Sequence, residues 1–324
     1  MKVGPEMMDP QLRRRGQMGR LLSGRSEAAL RRGHRLLRLI RPAMSLRKPG
    51  DLRVRQEFVE RGDGTRLRLL VYGPREHRSG VAGLLWLHSG GYAFGCPEQD
   101  VATYRRLIAR SGAIVVAPDY RLSPEAPYPA ALEDCYLALK WLRDNATQLG
   151  VRTDQLAVGG ESGGGGLTAA LTLYARDRGE VSIAFQMPIY PMIDDRAITE
   201  SARDNDAPVW DSVTNASAWR LYLGSRHGTG DVPAYAAPAR ATEFAGLPPA
   251  FTYVGDLEPF RDETIAYVEN LRSAGVPVEF EIYPGCWHGF DQVAPKAEVS
   301  VRARRARDAW FARAVREYFA AQPG

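Results

Sequence analysis

A serine, a set of carboxylates and a histidine, each lying just past a strand-like run, give this chain the parts of a nucleophilic site. The serine is Ser162, within Leu156-Ala157-Val158-Gly159-Gly160-Glu161-Ser162-Gly163-Gly164-Gly165-Gly166-Leu167. Here a short apolar strand, a G-x-S-x-G turn and a helix-like run over Thr168–Ala175 follow one another, which is the context a nucleophile elbow requires. A serine on such a turn is forced into a strained backbone conformation. The residues two before and two after it approach too closely for side chains, which accounts for Gly160 and Gly164. The helix start behind the serine offers free N–H groups to a developing oxyanion. A glycine run can instead form a flexible turn or cradle a phosphate, but no Lys-Ser or Lys-Thr pair follows these glycines.

A serine hydroxyl becomes a good nucleophile only when a base within hydrogen-bond reach removes its proton during attack. The chain has five histidines, at 34, 77, 88, 227 and 288. His288 alone follows both the serine and a late strand-like run, in Tyr283-Pro284-Gly285-Cys286-Trp287-His288-Gly289-Phe290. The base in turn needs a buried carboxylate on its far nitrogen. Candidates lie in Gly255-Asp256-Leu257-Glu258-Pro259-Phe260-Arg261-Asp262-Glu263, past the run 250–254. Glu258, Asp256 and Asp262 all remain open on position, although Asp262 also reads as a helix-start residue. Serine, acid and base then occur in the chain order known for strand-end triads. Gly163 supplies the amide after the nucleophile. Gly90 and Gly91, past the apolar run 82–87, stand where a second oxyanion donor belongs. Tyr92, Phe94, Trp210, Phe260 and Trp287 flank these segments and are the candidate substrate-binding wall. No cysteine or histidine spacing suits a metal.

The elements that must position these groups alternate between strand and helix. Residues 54–60 and 67–72 flank Arg61-Gly62-Asp63-Gly64 and predict a hairpin. Strands follow at 82–87, 113–117, 181–190, 250–254 and 278–283. Helices are predicted at 101–111, from Pro129 to Asn145, at 262–273 and at about 297–320. This rhythm predicts an α/β fold with a mostly parallel, doubly wound sheet. It stops over 191–225, where Trp210, Trp219 and Tyr222 recur on a helical period. Residues 12–41 predict one basic amphipathic helix with Met18, Leu22, Ala29, Leu36, Leu37 and Ile40 on its apolar side, ended by Pro42 and Lys48-Pro49-Gly50. The expected division is therefore a cap segment at 1–50, a catalytic domain at 51–190 and 226–324, and a cap insertion at 191–225.

The formal charge of +5 is unevenly spread. Residues 1–50 hold 13 Lys+Arg against 3 Asp+Glu, and the remainder holds 30 against 35. The basic character thus belongs to the N-terminal segment, and the overall charge is poor support for nucleic-acid binding. No apolar run reaches the length of a membrane span, and no signal-peptide core opens the chain. Three cysteines without motif spacing fit reduced thiols, so a cytoplasmic location is expected.

Taken together, the segments HSGGY at 88–92, DYRLSPEAPYPAALEDC at 119–135, GESGGGG at 160–166, GDLEPFRDE at 255–263 and YPGCWHGF at 283–290 resemble the hormone-sensitive-lipase-like branch of α/β-hydrolase esterases, a branch that includes bacterial acetyl and short-chain carboxylesterases. The resemblance implies an α/β-hydrolase fold with a helical cap, and a cofactor-free serine carboxylesterase working through an acyl-enzyme on short- to medium-chain esters. It implies a small-molecule ester as partner, and leaves a homo-oligomer open. It matches Glu258 to the family's acid, usually Asp, and Gly90 and Gly91 to its oxyanion donors. Ser89 stands where the family has glycine. His88 is expected to brace the oxyanion loop, with Arg121, Glu125 and Asp134 forming a polar scaffold. A serine peptidase of the same fold and a non-catalytic receptor on the same scaffold are the rival readings; the second lacks support because His288 is present.

Overall fold

Apolar runs separated by amphipathic helices fold into one eight-stranded sheet in this computed structural model, which describes residues 1–45 and 49–323. The strands are β1 (Leu52–Glu60), β2 (Arg66–Pro74), β3 (Val81–Leu87), β4 (Ile114–Pro118), β5 (Val151–Glu161), β6 (Phe185–Ile189), β7 (Ala250–Gly255) and β8 (Val278–Tyr283). Their spatial order is β1-β2-β4-β3-β5-β6-β7-β8. The β1–β2 hairpin closes between Glu60 and Arg66, and β2 pairs antiparallel with β4 as well. From β4 across to β8 every pairing is parallel.

The α-helices among the described residues are α1 (Arg13–Gly19), α2 (Glu27–Ser45), α3 (Val101–Ser111), α4 (Ala130–Asp144), α5 (Ala146–Leu149), α6 (Gly163–Arg178), α7 (Ser212–Leu223), α8 (Arg261–Ser273), α9 (Phe290–Val293) and α10 (Glu298–Glu317). Side chains alternate across a strand, so β3 feeds two cores. Leu85 and Leu87 pack with Leu139 and Leu142 of α4 and Leu167 and Leu171 of α6. Leu84 and Trp86 pack on the other face with Tyr104 and Leu107 of α3 and Trp310 and Phe311 of α10. Both faces being covered, the central strands are buried and read as near-continuous apolar runs.

The N-terminal segment departs from expectation in three ways. It is not one helix: the chain turns at Ser23 and Gly24, where Gly24 has φ +67 and its N–H donates to Asp211 Oδ2 at 2.7 Å. The second helix also runs through Pro42 to Ser45; Lys48 of the expected terminating cluster lies outside the described residues. Finally, the buried face is a different one. Leu30 and His34 are buried, while Met18, Leu36 and Ile40 are exposed. His34 faces inward because Nε2 meets Glu125 at 3.2 Å. A polar residue on the buried face hides the true register from an apolar-period reading. No helix among the described residues is long and apolar enough to cross a membrane. Cys96, Cys135 and Cys286 are buried and unpaired.

Beneath the sheet's centre lies a buried charge cluster that no sequence period reveals. Arg307 of α10 is fully buried; its Nη1 donates to Glu161 at 2.8 Å and its Nη2 to Asp308 at 2.9 Å. Removing one member of a buried ion pair leaves the other without compensation. Arg307→Met should therefore lower unfolding free energy by about 3–5 kcal/mol. Arg313→Ala, which removes an exposed partner of Glu279, should cost less than about 1 kcal/mol. Urea titrations of the two variants check this, and equal shifts would contradict the assignment.

Candidate active site

The end of β5 and the start of α6 meet at Ser162, whose backbone sits at φ +59 and ψ −120. That conformation is held from both sides. The Ser162 N–H donates to Ile189 O at 3.0 Å, and its carbonyl accepts from Gly166 N at 2.9 Å and Met192 N at 3.1 Å. A side chain at Gly164 would put its Cβ 2.1 Å from Leu87 O, so only glycine lets α6 come this close to β3. Gly166 leaves room for the Tyr92 hydroxyl, which a Cβ there would meet at 2.0 Å. The glycine run is therefore a packing surface, and the flexible-turn and phosphate-loop readings both fall away.

Three loops at the carboxyl ends of the strands converge on the serine. Ser162 Oγ lies 2.8 Å from His288 Nε2. On the far side, His288 Nδ1 hydrogen-bonds Glu258 Oε2, and Glu258 Oε1 accepts the Gly255 N–H at 2.7 Å. A carboxylate accepts, so Nδ1 carries the proton and Nε2 is left to take one from the serine. Burial pushes the Glu258 carboxyl above the usual range, while the His288 charge and the hydrogen bonds from His288 and Gly255 pull against that rise. Asp256 and Asp262 are engaged elsewhere. Asp256 Oδ1 accepts Cys286 N at 3.3 Å, and Asp262 Oδ2 accepts Ser201 N at 2.8 Å.

The imidazole is boxed by aromatic rings: Phe260 stands perpendicular to it at 4.9 Å, Tyr190 at 5.0 Å, and Trp210 lies 6.2 Å away. Tyr190 is itself held by its hydroxyl, which donates to Asp291 Oδ1 at 3.1 Å. Asp291, Ser201 and Asn205 were not legible as site residues. Asn205 Nδ2 donates to Leu257 O at 3.2 Å, and Ser201 Oγ to Pro259 O at 3.0 Å, tying the segment after β6 to the Glu258 loop.

Opposite the histidine, the loop after β3 holds three successive residues at positive φ: Gly90 (+131), Gly91 (+55) and Tyr92 (+62). No hydrogen bond among the described residues uses the Gly90 or Gly91 N–H. The Gly91 N lies 2.9 Å from where a Gly163 Cβ would stand, so the loop is pressed against the first turn of α6. The Gly163 N–H is itself one of the unpaired donors of a helix start. Tyr92 is no pocket wall: its hydroxyl bonds Met192 O and its ring stacks on Tyr222 at 4.0 Å, bracing the loop.

Phe94 and Trp210 do line a cavity of about 120 Å³ beside Ser162 and His288, together with Ser89, Tyr190, Val209 and Val293. Phe260 backs the imidazole instead, and Trp287 is buried against Gly16 of α1. Both are core residues because they sit one layer behind the site. Glu125 also departs from the expected scaffold. Asp134 accepts Arg121 Nη2 at 2.9 Å and Arg61 Nε at 2.7 Å, whereas Glu125 pairs with His34 and Arg38 of α2. Among the described residues no group of three or more metal-ligating side chains is gathered.

His88 braces the loop after β3. Its Nδ1 donates to Ser89 O at 2.8 Å, and its ring stacks on Tyr120 at 4.1 Å. Burial lowers its pKa from 6.5 to about 4. Between those values the unfolded chain binds a proton that the folded chain refuses. Stability is thus fully present above about pH 6.5 and falls as pH drops toward 4. His88→Asn should flatten that slope. Urea midpoints at pH 7.5 and 5 should differ less in the variant than in the parent; an equal difference would contradict the role of this imidazole.

With this geometry in view, the likeness to known proteins is informative. The family model of the alpha/beta hydrolase fold matches residues 84–292. Esterase LipI of Mycobacterium tuberculosis is 39% identical over 208 residues, 64% of this chain and 65% of that protein. Carboxylesterase NlhH of the same species is 34% identical over 74% of this chain and 76% of its own length. A bacterial heroin esterase structure superimposes with a TM-score of 0.87 at 34% identity, covering 96% of this chain and 99% of its own. The chain belongs to the α/β-hydrolase fold family, in its hormone-sensitive-lipase-like carboxylesterase branch, and is a carboxylic ester hydrolase.

Proposed function

We propose that this carboxylic ester hydrolase uses Ser162 as nucleophile, His288 as general base and acid, and Glu258 as the group that orients and charge-balances the imidazole. The reading rests on one observation, the unbroken hydrogen-bond chain from Ser162 Oγ through His288 to Glu258. Nε2 takes the hydroxyl proton as Oγ attacks the ester carbonyl. The oxyanion then meets the amides of Gly163, Gly90 and Gly91. Collapse expels the alcohol with the proton from Nε2 and leaves an acyl-enzyme, which water, activated by the same nitrogen, hydrolyses. Trp210 lies over Gly91, where a Cβ would stand 2.1 Å from its ring, and screens the oxyanion site from water.

Residues 1–50 and 191–225 act as the cap in this reading, since Asp211 takes the Gly24 N–H and α2 packs on α7. The cavity of about 120 Å³ is small beside the roughly 300–1,000 Å³ of drug-sized sites. It suits a short to medium chain.

Glu258→Gln tests the acid. The amide keeps size, removes charge and selects the wrong imidazole tautomer, a change that costs serine proteases about 10⁴-fold in kcat. The variant should lose several orders of magnitude in kcat with KM changed far less, while Asp256→Asn keeps most activity. A folded Glu258→Gln enzyme with parental kcat, beside an inactive Asp256→Asn, would show that another carboxylate does the work.

A further inference from the structure

The cavity beside Ser162 is walled mainly by apolar groups, among them Phe94, Val209, Trp210 and Val293. Its polar groups are few, namely the Gly90 N–H, the Gln292 amide and the side chains of Ser89, Ser162, Tyr190 and His288. The Tyr190 hydroxyl donates to Asp291, and His288 Nε2 is engaged with Ser162. Ser89 also lines this cavity, and its hydroxyl is only half used. Gln99 Nε2 lies 2.9 Å from Ser89 Oγ and 3.2 Å from Ser89 O. The amide has one orientation, because its Oε1 accepts the Cys96 N–H at 3.3 Å and because a carbonyl oxygen can only accept. Gln99 therefore donates and Ser89 Oγ accepts. No hydrogen bond among the described residues has the Ser89 O–H as donor. A hydroxyl whose lone pair is already engaged is a polarised donor, and Ser89 lines the edge of this cavity with that hydrogen free of any acceptor among the described residues.

We infer that Ser89 is a specificity-determining donor, whose hydroxyl recognises an ether, keto or hydroxyl oxygen carried by the ester a few bonds from the scissile carbonyl. The inference rests on the proposed reading of Ser162 as nucleophile. A substrate with a methylene at that place offers the hydroxyl no acceptor, and one neutral hydrogen bond of this kind is worth about three- to tenfold. The acceptor oxygen can belong to the acyl or to the alkoxy part of the ester; the chemistry recognised is the same.

Two isosteric pairs separate these sources: ethyl methoxyacetate against ethyl butyrate for the acyl side, and 2-methoxyethyl acetate against butyl acetate for the alkoxy side. The quantity read is the oxygen-to-methylene ratio of kcat/KM for each pair, in the parent, Ser89→Ala and Ser89→Thr. Intrinsic reactivity differences cancel when the variant's ratio is divided by the parent's. Ser89→Ala should lower the ratio about three- to tenfold for the pair whose oxygen reaches the hydroxyl, and Ser89→Thr should restore it. Ser89→Gly serves the same test should the alanine variant not fold. Ratios unchanged for both pairs, or equal losses on oxygen and methylene substrates, would overturn the inference. Ser162→Ala, assayed beside them, tells failure of this inference from failure of the catalytic reading: activity persisting in that variant sinks the latter.

Discussion

Ser162 holds a left-handed backbone conformation at the point where β5 becomes α6, and a residue with a Cβ keeps such a geometry only when its surroundings over-determine it. Here the peptide groups on both sides of the serine are tied to β6, to the segment after it and to α6 itself. The turn also requires α6 to start hard against β3, with Gly164 meeting Leu87 O and Gly163 meeting the Gly91 amide. The strained turn at Ser162 thus also brings the loop after β3 to the helix start. Ser162 and the amides of Gly91 and Gly163 share one constraint.

Support for that turn comes from groups that never meet a substrate. Glu161, next to the serine, is fully buried and held by Arg307, so α10 anchors the elbow from the far face of the sheet. Burial raises the Glu161 carboxyl well above its usual range, with the neighbouring Asp291 and Asp100 adding to the rise. The same carboxylate-rich layer reaches His288, because Asp291 holds the hydroxyls of Tyr190 and Tyr253 and Tyr190 stands against the imidazole. On the solvent side, the Ser201 and Asn205 contacts tie the segment after β6 to the Glu258 loop, and Trp210 lies over Gly91. The histidine is therefore positioned by packing from both layers.

Much of this was legible from the chain. The elbow, the β1–β2 hairpin and α3 declare themselves through local signals, namely glycines at forced positions, turn residues and unbroken apolar periods. What escaped reading depends on contacts distant in sequence or on a polar residue turned inward. Arg307 meets Glu161 across 146 residues, and nothing in an Arg/Ala-rich helix marks one arginine as buried. His34 on the inner face of α2 misplaced the helix register. Trp287 and Phe260 adjoin His288 and Glu258 in sequence, yet neither lines the cavity, and adjacency in sequence cannot distinguish a pocket wall from the layer behind it. Val209 and Val293 line the cavity with no motif to single them out.

The most direct test of the account is covalent capture. An alkyl p-nitrophenyl phosphonate reacts with an activated serine and stops at the stage that mimics the tetrahedral intermediate. Intact mass spectrometry should show a single adduct, peptide mapping should place it on Ser162, and Ser162→Ala should remain folded, unlabelled and inactive on esters. An adduct on any other serine, or full ester hydrolysis by the alanine variant, would contradict the assignment of the nucleophile on which the rest of the site depends.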